Sequence, residues 1–179
     1  MHLTPVMTRF ILHWGEMGTR WGVNRTVAQI HALLYLAPQP LPADEIAETL
    51  NVARSNVSTS LKELQSWGLV GVSHVMNDRR DHFATRSDPW YMLVTIMEQR
   101  KRRELQPTLD FLRDCARELE ADKETPREVK LKIENMADFL TTVTTWFDQM
   151  LTLPKATVMT LMKLGAKIAS FVPKAAKDG

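Results

Sequence analysis

The 179-residue chain has a single cysteine, Cys115, which excludes an intrachain disulfide framework and any multi-cysteine zinc site. Its five histidines include no pair at a metal-like spacing such as HxxxH, so no metal is expected. Long apolar runs are missing too: Ala32-Leu33-Leu34-Tyr35-Leu36-Ala37 is far short of the ~18 residues that a membrane span needs. The first residues, Met1-His2-Leu3-Thr4-Pro5, show no basic segment followed by an apolar stretch, and no signal peptide is read there. Nothing resembles a glycine-rich phosphate loop, a nucleophile–base pair or an acidic pair. The sequence therefore predicts no enzyme, no catalytic residue and no cofactor. The expected compartment is the cytoplasm. Net charge is scarce as well. At +2 the chain cannot coat nucleic acid by bulk charge, and any such contact must come from a local, shaped surface.

What is present is helical pattern. The apolar fraction, 44%, suits a soluble globular protein, and the length fits one domain or a small domain with an appendage. Charge is uneven, net −4 over residues 105–151 and net +4 over 152–179, with a basic run at Arg100-Lys101-Arg102-Arg103. Val6, Phe10, Ile11, Trp14, Met17, Gly18 and Trp21 form one helical stripe. Asn24 reads as the cap of a helix through Val27, Ile30, Leu33 and Leu34, and Pro38, Pro40 and Pro42 break the chain after it. A short helix from Pro42 to Leu50 and a longer one from Arg54 to Trp67 flank Asn51, a residue type that tolerates the left-handed turn between helices. Leu69 to Val75 and Arg80 to Thr85 are strand-prone about the turn Met76-Asn77-Asp78-Arg79.

From Asp88 onward only helices are predicted. Asp88-Pro89 opens the first, Pro107 bends or restarts it, Thr125-Pro126-Arg127-Glu128 reads as a capping box, and Pro154 opens the last. The fold class is mainly α: a winged helix-turn-helix with a two-stranded β wing over residues 1–87, and a helical dimerisation and effector region over 88–179.

With Val57, Leu61 and Leu64 turned inward, the outward line of the Arg54–Trp67 helix is Ser55, Thr59, Lys62 and Ser66, flanked by Asn56 and Ser58. Short hydroxyls and amides let a helix approach base edges in the major groove, and Asn can pair bidentately with adenine. Arg54, at the start of the helix, suits a phosphate or a guanine. On its own this face reads equally well as a soluble surface. The basic turn Asn77-Asp78-Arg79-Arg80, one hairpin later, tips the reading to DNA, because a basic wing beside a groove helix suits backbone or minor-groove contact.

The segment Arg54-Ser55-Asn56-Val57-Ser58-Thr59-Ser60-Leu61-Lys62-Glu63-Leu64-Gln65-Ser66-Trp67-Gly68-Leu69-Val70 resembles the recognition-helix segment of GbsR/MarR-type regulators. Asp78-Arg79-Arg80-Asp81-His82, Asp88-Pro89-Trp90 and Arg100-Lys101-Arg102-Arg103-Glu104 are similar to the same family's wing and post-wing pattern. The likeness covers roughly residues 8–110. It implies a cytoplasmic winged-helix homodimer that controls transcription at a double-stranded DNA operator. By that resemblance, the DNA contacts fall on Arg54, Ser55, Asn56, Ser58, Thr59 and Lys62, and on Arg79 and Arg80 of the wing. Ala53 stands where the family pattern has serine.

The aromatic residues Trp14, Trp21, Tyr35, Trp67, Trp90, Tyr91 and Trp146 allow two readings, with Trp14, Trp21, Trp90, Tyr91 and Trp146 as the effector candidates. Some GbsR-like regulators sense choline, and a quaternary ammonium is held in an aromatic cage by cation–π attraction. Tryptophans at helical spacing are more often core or dimer packing. The helix bearing Lys155, Lys163 and Lys167 is read as packing on a partner subunit, not as a membrane-surface helix. The excess apolar stripes (Phe10, Trp14; Val143, Phe147, Leu151; Met159, Met162) predict isologous pairing of two copies. The rival to a DNA-binding regulator is a winged-helix protein–protein module. Such modules often lack the basic wing and polar helix face found here.

Overall fold

The computed structural model describes residues 1–169, and the side chains of residues 166–169 are not part of that description, so Lys167 lies outside it. The chain divides into two compact units, Met1–Gln99 and the part that begins at Arg100. The sequence division at residue 87 marks the end of the wing, and the first unit runs on to Gln99.

In the first unit, α1 (Pro5–Arg20) and α2 (Arg25–Leu36) cross at close range. The Thr4 hydroxyl caps α1 by accepting from the Met7 amide, and the Asn24 side chain caps α2 by accepting from Thr26 N–H at 2.8 Å. A Cβ built on Gly18 would lie 2.5 Å from the Ala28 Cβ, so glycine there is required by the approach of the two helices. Beyond α2 come β1 (Leu41–Pro42), α3 (Ala43–Leu50), α4 (Arg54–Ser66), β2 (Val70–Ser73), β3 (His82–Thr85) and α5 (Pro89–Arg100). Gly68, at φ 75°, ends the α4 segment in the left-handed region that glycine adopts at little steric cost. The core is aliphatic: Val27, Ile30, Leu33, Ile46, Val57, Leu61 and Leu64 have their side chains fully buried. At roughly 1.5–3 kcal/mol for each buried aliphatic side chain, this cluster holds α2, α3 and α4 together.

The sheet corrects the two-stranded expectation. It has three antiparallel strands in the order β1-β3-β2, with Leu41 opposite Phe83 and Val72 opposite Phe83 on the other side. A two-residue strand that follows one proline and ends in another carries no readable strand pattern, so β1 was invisible in the sequence. Pro42 cannot donate to a ladder, and an edge position tolerates that.

The second unit opens with a π-helical turn, Lys101–Leu105, in which Gln106 N–H donates to the Lys101 carbonyl. It leads into α6 (Gln106–Ala121). Pro107 lacks an N–H and clashes one turn back, and the expected restart takes the form of this widened turn. The helices α6 and α7 (Arg127–Thr152) pack together, and α8 (Lys155–Ala169) follows. The predicted capping box is not formed: Pro126 occupies the cap position without a side-chain bond. The connection is closed instead by Asp122, whose carboxylate accepts from Glu124 N–H at 2.8 Å and Thr125 N–H at 3.2 Å. Lys130 Nζ then donates to the Leu119 carbonyl of α6 and to the carbonyl of Asp122, just past its end. These short-range bonds take the place that Thr125 was expected to fill.

Candidate nucleic-acid interface

The turn between α3 and α4 sets the geometry. Asn51 sits at φ 52°, ψ 50°, and Val52 N–H donates back to the Ala47 carbonyl at 3.0 Å, which ends α3 sharply. Because Ile46, Ala47, Val57, Leu61 and Leu64 are buried, the orientation of α4 is fixed by its core face. The opposite face carries Arg54, Ser55, Asn56, Ser58, Thr59 and Lys62, and all six are exposed, as the periodicity predicted. Ser60, two positions from Ser58, is instead buried. Ala53 makes no side-chain cap bond, so the first-turn amides of α4 remain available to an acceptor from outside. Thr59 donates its hydroxyl to the Ser55 carbonyl at 3.1 Å, which leaves its oxygen an acceptor toward solvent. Among the described residues, Arg54 and Lys62 form no ion pair.

The wing separates its two arginines. The Arg80 guanidinium is held by the Asp78 carboxylate at 2.6 Å and by Asp44 of α3 at 2.9 Å. The Arg80 amide also donates to Asp78 Oδ1 at 3.0 Å. The Arg80 hydrogen bond thus holds the Asp78 carboxyl well below the usual carboxylate range, and the two acids raise Arg80 in turn. For Asp44, partial desolvation pushes the pKa up, but the Arg80 contact and nearby backbone donors outweigh it and the net direction is down. Arg80 therefore straps the wing to α3. Arg79 is exposed and makes no ion pair among the described residues. His82 is buried behind the strap, with Nδ1 2.9 Å from the Arg80 carbonyl and Nε2 3.4 Å from Asp78.

A cavity of about 210 Å³ lies within the first unit, lined by Phe10 and Trp14 of α1, His31, Ala32 and Tyr35 of α2, and Pro89 and Met92 at the start of α5. Phe10 stacks between Trp14, at 5.5 Å and 16°, and Tyr35, at 6.4 Å and 19°. These two α1 residues, expected at a dimer seam, pack inside the unit because α2 presents Tyr35 to them. Burial lowers the His31 pKa to about 4, so the imidazole is neutral. The Thr85 hydroxyl donates to the Leu69 carbonyl at 2.7 Å, which leaves its oxygen to accept from His31 Nε2–H at 3.3 Å.

Of the five effector candidates singled out in the sequence, only Trp14 reaches this cavity. Trp21 is exposed after the end of α1, and Trp146 lies exposed in the second unit. Trp90 is half-buried, its amide donating to the Asp88 carboxylate at 3.0 Å. Tyr91 donates its hydroxyl to the Gly68 carbonyl at 2.9 Å and takes the Arg86 guanidinium over its ring at 4.3 Å. Sequence reasoning missed Phe10, His31 and Tyr35 as a group. The signal was present as two i, i+4 pairs, Phe10/Trp14 and His31/Tyr35, on consecutive helices.

Residues 21–81 match the MarR family model. No curated protein matches the chain. A crystal structure of a transcriptional regulator superposes with a TM-score of 0.62 at 20% identity, covering 81% of this chain and 95% of that one. The S. aureus MepR–DNA complex aligns at 14% identity over 68% of this chain and 100% of that one, with a TM-score of 0.37. The first of these structures shares the mainly helical, winged-helix fold of this chain.

Proposed function

We propose that this chain is a sequence-specific DNA-binding transcriptional regulator, a cytoplasmic homodimeric repressor whose hold on its operator is altered by a small effector. One observation carries the reading: α4 presents Arg54, Ser55, Asn56, Ser58, Thr59 and Lys62 to solvent as a single polar and cationic face, in a fold whose wing carries the uncommitted Arg79. Asn56 and Thr59 are suited to base edges, and Arg54, Lys62 and Arg79 to phosphates. Arg80 keeps the wing in place, and its charge is already matched by Asp78 and Asp44.

The effector site is the cavity between α1, α2 and α5. Its lining has no carboxylate, its histidine is neutral, and its rings stack side by side instead of converging on a point. That supports an uncharged, flat effector over a quaternary amine, which needs ring faces closing around it. Titrating phenol and choline against tryptophan fluorescence tests this: saturable change with phenol and none with choline is expected, and the reverse would restore the cation reading.

The DNA assignment is tested by splitting roles. Asn56→Ala should cost ~1–3 kcal/mol on a selected site and little on random duplex. Arg79→Ala should weaken both and flatten the salt dependence by about one counterion. Should both variants lose specific and non-specific affinity alike, the division of roles fails. If neither changes binding, a protein-contact module takes its place.

A further inference from the structure

The wing ends in a side chain that solvent should not favour. Met76 is 89% accessible, and Val75 and Val72 on the same ribbon are also exposed, at 42% and 44%. An isolated exposed aliphatic is ordinary, but three on one short hairpin, with a fully presented thioether at its tip, are not.

The base of the tip is also braced. Met76 occupies the second position of a four-residue turn in which Asp78 N–H donates to the Val75 carbonyl at 3.1 Å, with Asn77 in the left-handed region at φ 65°. Asp78 grips Arg80, and Arg80 reaches Asp44 on α3. The turn therefore points a methionine outward from a braced base. Asp78 and Asp44 share the single positive charge of Arg80, Asp81 lies 4.0 Å from His74, and the wing's other cation, Arg79, is exposed with no ion-pair partner among the described residues. An apolar prong beside one uncommitted cation fits a duplex minor groove. There a side chain without donors can wedge between base steps while the cation meets a flanking phosphate.

We propose that Met76 enters the minor groove of bound DNA as an apolar wedge, with Arg79 on the adjacent phosphate, so that the wing selects its site by how easily the flanking base steps unstack. The inference rests on the DNA-binding reading above and adds the source of specificity at positions that α4 does not touch. Pyrimidine–purine steps, being flexible, are the steps that such a wedge favours.

The experiment is selection from a pool of randomised duplexes with the full chain as wild type, Met76→Ser, Met76→Leu and Arg79→Ala, followed by affinity and bending measurements on the enriched duplex. The wild type should enrich a central motif and flanking TA or CA steps. Met76→Ser should keep the central motif, lose the flank preference and the induced bend, and bind the enriched duplex about fivefold more weakly, with an unchanged salt slope. Met76→Leu should restore all three. Retention of flank preference and bend in Met76→Ser would overturn the wedge while leaving the DNA-binding reading intact. A flank preference lost only in Arg79→Ala would do the same. A wild type that enriches nothing would overturn both.

Discussion

His31 is where a single proton acts most directly on the first unit. Its pKa is lowered from 6.5 to about 4 by burial, so the folded chain resists a proton that the unfolded chain accepts throughout that interval. The sign follows: the stabilisation from neutral His31 is complete above pH 6.5 and is lost as pH falls toward 4. Stability should drop by up to ~1 kcal/mol per pH unit within the interval. Urea unfolding at pH 7 and pH 5 should show this drop in the wild type and a smaller one in His31→Leu. Parallel losses in both would remove His31 from the account. The same scale separates Arg79 from Arg80, two neighbours identical in the sequence pattern. What distinguishes them is Asp44, 36 positions from Arg80 along the chain, and no local motif reports that partner.

At the scale of elements, the α1–α2 crossing and the wing strap invite different tests. Gly18 lets α1 approach α2 until a Cβ would lie 2.5 Å from Ala28, so Gly18→Ala must push the helices apart. Overpacking of this kind costs about 1–3 kcal/mol, and a thermal melt should show it as a fall in Tm of several degrees. An unchanged Tm would mean that the crossing relaxes freely. The strap should behave otherwise. Asp44→Asn removes one of two anionic partners of an exposed arginine, so global stability should barely change. Amide exchange over residues 74–82 should nonetheless quicken, because the tip is then tied only to its own hairpin. Uniform exchange in wild type and variant would show that the turn holds without α3. Acid acts on the same device. Arg80 holds Asp78 well below the usual carboxylate range and lowers Asp44 as well, so the strap persists at neutral and mildly acid pH and loosens as pH falls and the two carboxylates are protonated.

The whole molecule is defined by what its second unit leaves uncovered. Phe111, Phe139 and Trp146 are exposed at 65%, 62% and 58%, along with Met136 and Val143 of α7 and Met162 of α8. Among the described residues, the buried set of the same unit is small: Leu109, Leu119, Ala137, Thr144 and Val158. Large apolar side chains at this density are the mark of an association surface, and a second copy is the simplest occupant. Sedimentation of the full chain should give a dimer at micromolar concentration, and Phe139→Ser with Trp146→Ser should give a folded monomer by circular dichroism. A wild-type monomer at ordinary salt would overturn the dimer and leave the apolar helices without a role.

The sequence by itself determined the helix-turn-helix. The buried residues of α3 and α4 recur at helical spacing, Asn51 marks the turn, and a helix with one apolar face has only its other face to offer to solvent. The caps at Asn24 and Asp88 and the stop at Gly68 were legible for the same reason, since each acts within a few residues of itself. Tertiary structure decided the rest. It added β1, whose pairing with β3 comes from across the fold; it closed the α6–α7 connection through Asp122 and Lys130; and it tied Arg80 to Asp44. It also gathered Phe10, Trp14, His31, Tyr35 and Met92 around one cavity and left Trp21, Trp90 and Tyr91 of the same unit out of its lining. Periodicity specifies which way a side chain points from its own helix. What it meets there depends on how the helices cross, and that is set by close contacts such as Gly18 against Ala28, between residues ten positions apart.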